Sequence, residues 1–343
     1  MIETYVAIQG VCAWPNLQQL EDGTLMATIF NQPCHGVWEG DLECWASKDE
    51  GRTWRFRSRP TSHEPGTNRM NCAVGWAPNG DMLILCSGWT NRGAVGERKT
   101  DGRRKKLPVC ICRSSDGART WQVEHNFPDP PPTELGKDDF FVPFGNIATA
   151  HDGSLCVSAY LKKGLERACY FLRSRDDGRI WGEPVVLNPE GNETAVLHLG
   201  GEQWLASSRN NHKGKNVIIE LLSSEDDGRT WEYRLPVTLA NQVTSHLMRL
   251  ADGRILLSYG NRNWGRFGVD VRFSEDEGHT WGAPIHIADA PQPDCGYPSS
   301  VQLPDGKLVT AYYTKLSHDY HYEMRVARWN PTDFVTSGLP AQS

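Results

Sequence analysis

A glutamate and a tyrosine stand at matching places ahead of two turns in this chain. Glu193 lies eight residues before Gly201 (201 − 193 = 8), and Tyr297 lies eight before Asp305 (305 − 297 = 8). Equal offsets in repeated units put two side chains at one height, where a carboxylate can take a phenol's proton. Free tyrosine has a pKa of about 10, so it needs such a base to act as a nucleophile near neutral pH. Eight residues past the Gly201 turn is Arg209 (209 − 201 = 8). Arg266 and Glu39 each stand eight before a repeated serine (274 − 266 = 8 and 47 − 39 = 8), with Asp41 two further on and His35 in the same loop. His246, His318 and His321 fall near the same rim, and Asp294 opens the segment Asp294-Cys-Gly-Tyr297-Pro-Ser-Ser. Each has a plainer alternative: a solvated strand end for Glu193, packing for Tyr297, ion-paired scaffold for the arginines, surface hydrogen bonding for the histidines.

The repeats define those offsets. Five segments share the pattern Ser-x-Asp-x-Gly-x-Thr-Trp, running Ser47–Trp54, Ser114–Trp121, Ser174–Trp181, Ser224–Trp231 and Ser274–Trp281. In the second, Ala118 replaces Gly; in the third, Ile180 replaces Thr. Asp can accept hydrogen bonds from its own turn, Gly allows positive φ, and Trp covers the fold-back. Alternating with these are six hairpin signals: Asp22-Gly23, Asn79-Gly80, Asp152-Gly153, Gly201-Glu202, Asp252-Gly253 and Asp305-Gly306, each between apolar runs. Each unit therefore reads strand, turn, strand, loop, strand, Ser-Asp turn, strand.

Six first turns against five Ser-Asp turns leave the last unit one strand short, and Glu3 to Ile8 is a spare strand-like segment. The predicted fold is all-β, a six-bladed β-propeller with four antiparallel strands per blade. Its ring is closed by the N-terminal strand, and residues 1–343 form one domain. Both kinds of turn close hairpins and lie on one face of the disc. Loops between second and third strands, such as Ser87 to Pro108, lie on the other face with the connections between blades, and function belongs there near the axis.

Composition narrows the class. A net charge of −6 argues against nucleic acid, and the one basic run, Arg98 to Lys106, reads as a solvated loop. No apolar run approaches the roughly 18 residues of a membrane span. The start shows no secretory signal, so a cytoplasmic address is expected unless a signal has been removed. The ten cysteines include no CxxC pair, and most sit in apolar strand-like runs, so they are expected to be reduced, buried small hydrophobes. No metal or cofactor is expected.

Over nearly its whole length the sequence resembles the sialidase superfamily, whose Asp boxes the Ser-Asp turns match. The resemblance implies that Glu193 is the base, Tyr297 the nucleophile, and Arg209 and Arg266 two of three arginines that hold a substrate carboxylate. Paired guanidiniums suit that task through forked hydrogen bonds. An anomeric carbon bearing a carboxylate repels an anionic nucleophile, so a neutral tyrosine is reasonable, and sialidases are the known tyrosine exception among glycosidases. The family's first arginine is replaced here by Ala13-Trp14-Pro15, which leaves Arg69 as a substitute. The acid is Asp41, Glu39 or His35, with Asp41 favoured. Trp38, Trp89 and Trp264 could stack on a sugar. The leading expectation is an exo-acting glycosidase releasing a terminal acidic sugar. Its competitors are a glycosidase or lyase for a uronate- or rhamnose-containing glycan, using His35 or His246, and a non-catalytic glycan-binding propeller.

Overall fold

Every first hairpin predicted from the sequence is present, and the strands around them form six antiparallel meanders in a computed structural model describing residues 1–97, 104–210, 217–317 and 320–334. Following the first strand, β1 (Glu3–Gln9), the first meander holds β2 (Cys12–Gln19), β3 (Leu25–Phe30), β4 (Leu42–Ser47) and β5 (Arg55–Ser58). The second holds β6 (Thr67–Trp76), β7 (Met82–Thr90), β8 (Lys106–Ser114) and β9 (Gln122–Glu124). The third holds β10 (Val142–Thr149), β11 (Leu155–Lys163), β12 (Glu166–Ser174) and β13 (Gly182–Asn188). The fourth runs through β14 (Gly191–Gly200), β15 (Gln203–Asn210), β16 (Ile218–Ser224) and β17 (Glu232–Pro236). The fifth runs through β18 (Gln242–Arg249), β19 (Ile255–Asn261), β20 (Gly268–Ser274) and β21 (Ile285–Asp289).

The sixth meander, β22 (Cys295–Gln302), β23 (Leu308–Lys315) and β24 (Tyr322–Trp329), takes its fourth strand from the start of the chain. There β1 pairs antiparallel with β24, Glu3 opposite Arg328 and Gln9 opposite Glu323. The first strands of the meanders touch in the order β2, β6, β10, β14, β18, β22 and then β2 again. A short parallel pairing of Gly145 and Asn146 with Ala73 and Val74 joins the second and third meanders into one eight-stranded sheet.

The cores lie between adjacent meanders, where period-two strands interdigitate. One such layer packs Leu83 and Leu85 against Leu155, Val157 and Trp181, all buried. The Ser-Asp turns lock these layers. In the first, Asp49 accepts from Ser47 Oγ (2.8 Å), Thr53 N (2.8 Å) and Thr53 Oγ1 (2.7 Å), while Trp54 Nε1 donates to Gly51 O (2.9 Å). The turns also bond to the preceding sheet: Ser58 Oγ donates to Ala118 O (2.6 Å), and Tyr5 OH of β1 donates to Gly51 O (2.5 Å). A Cβ at Gly178 would sit 2.4 Å from the Leu83 side chain. At Ala118, where the repeat lacks its glycine, the residue adopts φ of 63° regardless. All ten cysteines are buried and none forms a disulfide.

Candidate functional site

Each first strand breaks its regular pairing near one end. Register shifts fall between Cys12 and Asn16, Arg69 and Asn71, Phe144 and Ala148, Gly191 and Thr194, Val243 and Ser245, and Gly296 and Ser299. Such bulges re-aim side chains. Three of these breaks place non-glycine residues at positive φ: Ala13 (44°) with Trp14 (68°), Thr244 (31°), and Tyr297 (51°). Conformations of this kind cost on the order of 1–3 kcal/mol each and persist where packing enforces them. At Tyr297 the enforcing contact is visible. A Cβ on Gly296 would lie 2.6 Å from the Gly260 Cα, so two bare backbones meet there and deliver the next residue inward.

That residue meets the predicted glutamate. Tyr297 OH donates to Glu193 Oε1 at 2.7 Å, and both residues are buried. Arg209 Nη1 donates to Glu193 Oε2 at 2.5 Å and to the Tyr297 oxygen at 3.1 Å, so one guanidinium bridges base and phenol. Thr244 Oγ1 lies 3.4 Å from Glu193 Oε2. Burial works against ionising Glu193, but the Arg209 charge and the Tyr297 hydrogen bond overcome it and hold the carboxyl below the ordinary glutamate value. Burial and the Glu193 charge push Tyr297 up to about 12 against the pull of Arg209 and Arg262. At neutral pH the pair is therefore carboxylate plus neutral phenol.

The second guanidinium at this centre is Arg262, which the offset count missed. Its Nε donates to Cys295 O (3.1 Å), its Nη2 to Tyr313 OH (3.0 Å), and its Cζ lies 5.8 Å from the Tyr297 ring centre. Eight residues past the Asp252 turn is Gly260, which has no side chain. The next residue on the same side of an extended chain is Arg262, and that period-two step was the signal available. Arg266, predicted for this role, is not brought here. It lies beyond the end of β19 with its side chain 55% exposed, and its nearest carboxylate is Asp270 at 4.0 Å.

Beside Tyr297 the site continues through aromatic groups to a histidine and a carboxylate. Trp14 packs 5.4 Å from the Tyr297 ring, and Phe144 6.2 Å from it. The His35 ring stands 5.5 Å from Trp14, and its Nδ1 lies 3.3 Å from Asp294 Oδ1. Tyr313 OH donates to Asp294 Oδ1 (2.6 Å) and Tyr322 OH to Oδ2. Burial opposes the Asp294 charge, but the His35 contact and the two phenols carry its pKa well below the usual carboxylate range.

The other predicted residues lie elsewhere. Asp41 is 4% exposed, with Thr61 Oγ1 (3.1 Å) and His63 Nδ1 (2.8 Å) on its oxygens, which leaves little room for a leaving group. Glu39 accepts from Gly66 N at 2.6 Å and faces His63 Nε2 at 3.7 Å. Arg69 donates to Pro108 O at 2.7 Å and does not supply the centre's missing charge. Trp38 is buried against Tyr320 at 4.6 Å rather than offered to a ligand, whereas Trp264 is 92% exposed. His246 is buried and lines a small cavity of about 30 Å³ together with Tyr297, Trp14, Asn16 and Phe144. Its Nε2 lies 3.0 Å from Asn146 Nδ2, its Nδ1 has no partner, and burial pushes its pKa down to about 4. His318 and residues 98–103 of the basic run lie outside the described residues. Among the described residues no cluster of three or more His, Cys, Asp or Glu could hold a metal, and no helix is long and apolar enough to cross a membrane.

These meanders and this arrangement define an all-β chain with the sialidase fold. By sequence, residues 57–310 match the BNR repeat-like domain, and the chain belongs to that family. No curated protein matches it. A protein of unknown function from Dyadobacter fermentans superposes with a TM-score of 0.78 at 21% identity, covering 96% of this chain and 99% of the other. The Hadza microbial sialidase Hz136 gives 0.70 at 17% identity, covering 93% and 65%. Trypanosoma rangeli sialidase with the inhibitor DANA gives 0.69 at 16%, covering 94% and 55%. The chain thus spans just over half to about two thirds of these sialidases.

Proposed function

We propose that the six meanders are the blades of a closed six-bladed propeller and that the chain is a retaining glycoside hydrolase acting on a terminal acidic sugar. The observation that carries this reading is the Glu193–Tyr297 hydrogen bond, bridged by Arg209 and flanked by Arg262. The cyclic order of first-strand contacts and the β1–β24 pairing support the ring. In the first step the Tyr297 oxygen attacks the anomeric carbon while its proton passes to Glu193, and the glycosidic oxygen leaves with a proton. We assign that proton to His35 rather than Asp41, because His35 stands beside Trp14 near the nucleophile and Asp294 orients its ring. Water then attacks the glycosyl–tyrosine bond, giving its proton to His35, and Tyr297 recovers its own from Glu193. Arg209 and Arg262 hold the sugar carboxylate; Arg262 Nη1 has no protein acceptor among the described residues. Trp14, in the segment that replaces the family's first arginine, supplies an apolar wall.

The resting pair opposes premature ionisation, since the phenol is raised and the carboxylate lowered. Transfer is favoured only as positive charge develops at the anomeric carbon. The test is turnover of chromogenic and natural acidic glycosides by wild type and Tyr297→Phe, with product stereochemistry followed by NMR. Retention by wild type and a loss of at least ~10²-fold in Tyr297→Phe is the expected outcome. An unsaturated product would instead mean a lyase, and binding without turnover a lectin.

A further inference from the structure

Beside the proposed centre, one buried cation has no counter-ion. Arg167, at the start of β12, is 7% exposed, yet no ion pair joins it to a carboxylate among the described residues. Its Nε and Nη2 reach only the Leu165 carbonyl, at 3.3 and 3.4 Å, and its Nη1 is buried without any partner. Glu166 and Glu190 line the same cavity, of about 440 Å³, without pairing to it. Isolated buried charge is costly, so an unpaired guanidinium favours an anion beside it.

Lys162 faces it. The two residues are opposite each other across the β11–β12 ladder, so their side chains share one face of the sheet. That face is turned toward the fourth meander: Ser158, on the same side of β11, donates its hydroxyl to Thr194 O of β14. Lys162 itself lines a different, neighbouring cleft, of about 1110 Å³, along with Lys106, Lys137 and Lys163. Both cations feel the catalytic charges. Burial lowers the pKa of each and Arg209 adds to it in both; Arg167 lowers Lys162 further, and Glu193 raises both.

We propose that Lys162 and Arg167 form a second anion subsite between the third and fourth meanders, taking a carboxylate, sulfate or phosphate ester. This deepens the glycosidase reading, on which it rests: the substrate carries two negative groups, one at Arg209 and Arg262 and one here. A planar guanidinium beside a flexible ammonium suits a trigonal or tetrahedral oxyanion.

The first test is independent of catalysis. Inorganic sulfate is titrated at constant ionic strength while thermal melting is followed for wild type, Arg167→Met and Lys162→Met. The inference requires a saturable rise in Tm for wild type that is at least halved in both variants; equal responses in all three overturn it, whether or not any glycan is hydrolysed. Lys162 is exposed, so its variant remains informative if Arg167→Met folds poorly. The second test compares kcat/KM for an acidic aryl glycoside with that for the same glycoside bearing one sulfate ester. The ratio of sulfated to unsulfated should fall at least tenfold in both variants, and an unchanged ratio overturns the proposal. Absence of wild-type turnover on both substrates overturns the glycosidase reading, and the sulfate titration then decides the subsite alone.

Discussion

Glu193 Oε1 accepts the Tyr297 hydroxyl at 2.7 Å across a sequence separation of 104. The contact joins the starts of β14 and β22, two meanders apart, and β18 packs against both strands between them.

If that pair acts as a unit, Glu193→Gln should lower kcat by at least ~10²-fold. The Glu193→Gln/Tyr297→Phe double variant should be little worse than either single change, because residues serving one step are not additive. Multiplying losses in steady-state kinetics would break the pair as a functional unit. Below the ordinary glutamate pKa, activity should also fall along an acid limb set by Glu193, displaced downward because its folded pKa is depressed.

Arg262 and Arg266 separate geometry from sequence offset. Arg262→Ala removes hydrogen bonds to Cys295 O and Tyr313 OH and one cation facing the site, and should raise KM for an acidic glycoside by roughly 10- to 100-fold, as for loss of a charged hydrogen bond of about 1.5–3 kcal/mol. Arg266→Ala should change it less than about twofold, since its side chain is mostly exposed. The reverse ranking would restore the offset-based assignment.

His246 makes stability depend on pH. Its folded pKa is depressed to about 4 by burial, whereas the unfolded value is about 6.5. The unfolded chain therefore takes up a proton first as pH falls. This contribution is full above pH 6.5 and is lost between about 6.5 and 4, by roughly 3 kcal/mol. Urea unfolding across that window should show the slope in wild type and its reduction in His246→Gln. Parallel curves would mean that His246 is not buried neutral.

Deleting residues 1–9 removes β1, exposes the edge of β24 and breaks the Tyr5–Gly51 bond at the seam. Tm should fall by at least ~5 °C, since each kcal/mol shifts a domain of this size by a few degrees at most. Unchanged melting would show that the sixth meander needs no fourth strand.

The sequence alone determined the elements and their period. Five Ser-Asp turns and six first hairpins prescribe strand, turn and strand locally, because Asp, Gly and Trp set turn geometry through their own hydrogen bonds and φ. The mismatch of six against five also foretold that Glu3 to Ile8 would pair with the last meander. Equal offsets were enough to bring Glu193, Arg209 and Tyr297 together, since every unit repeats one geometry. Where units depart from that geometry the count failed. Gly260 has no side chain, so the reach passed to Arg262, and Arg266 was left in solvent. Loops follow no repeat, and nothing in the spacing of His35, Glu39 and Asp41 says which turns inward. Tertiary packing decided it, by closing Thr61 and His63 around Asp41 and setting His35 between Trp14 and Asp294. Arg167 was invisible for the same reason: whether a guanidinium has a counter-ion depends on which side chains meet it across two sheets, and that is a property of the assembled layers.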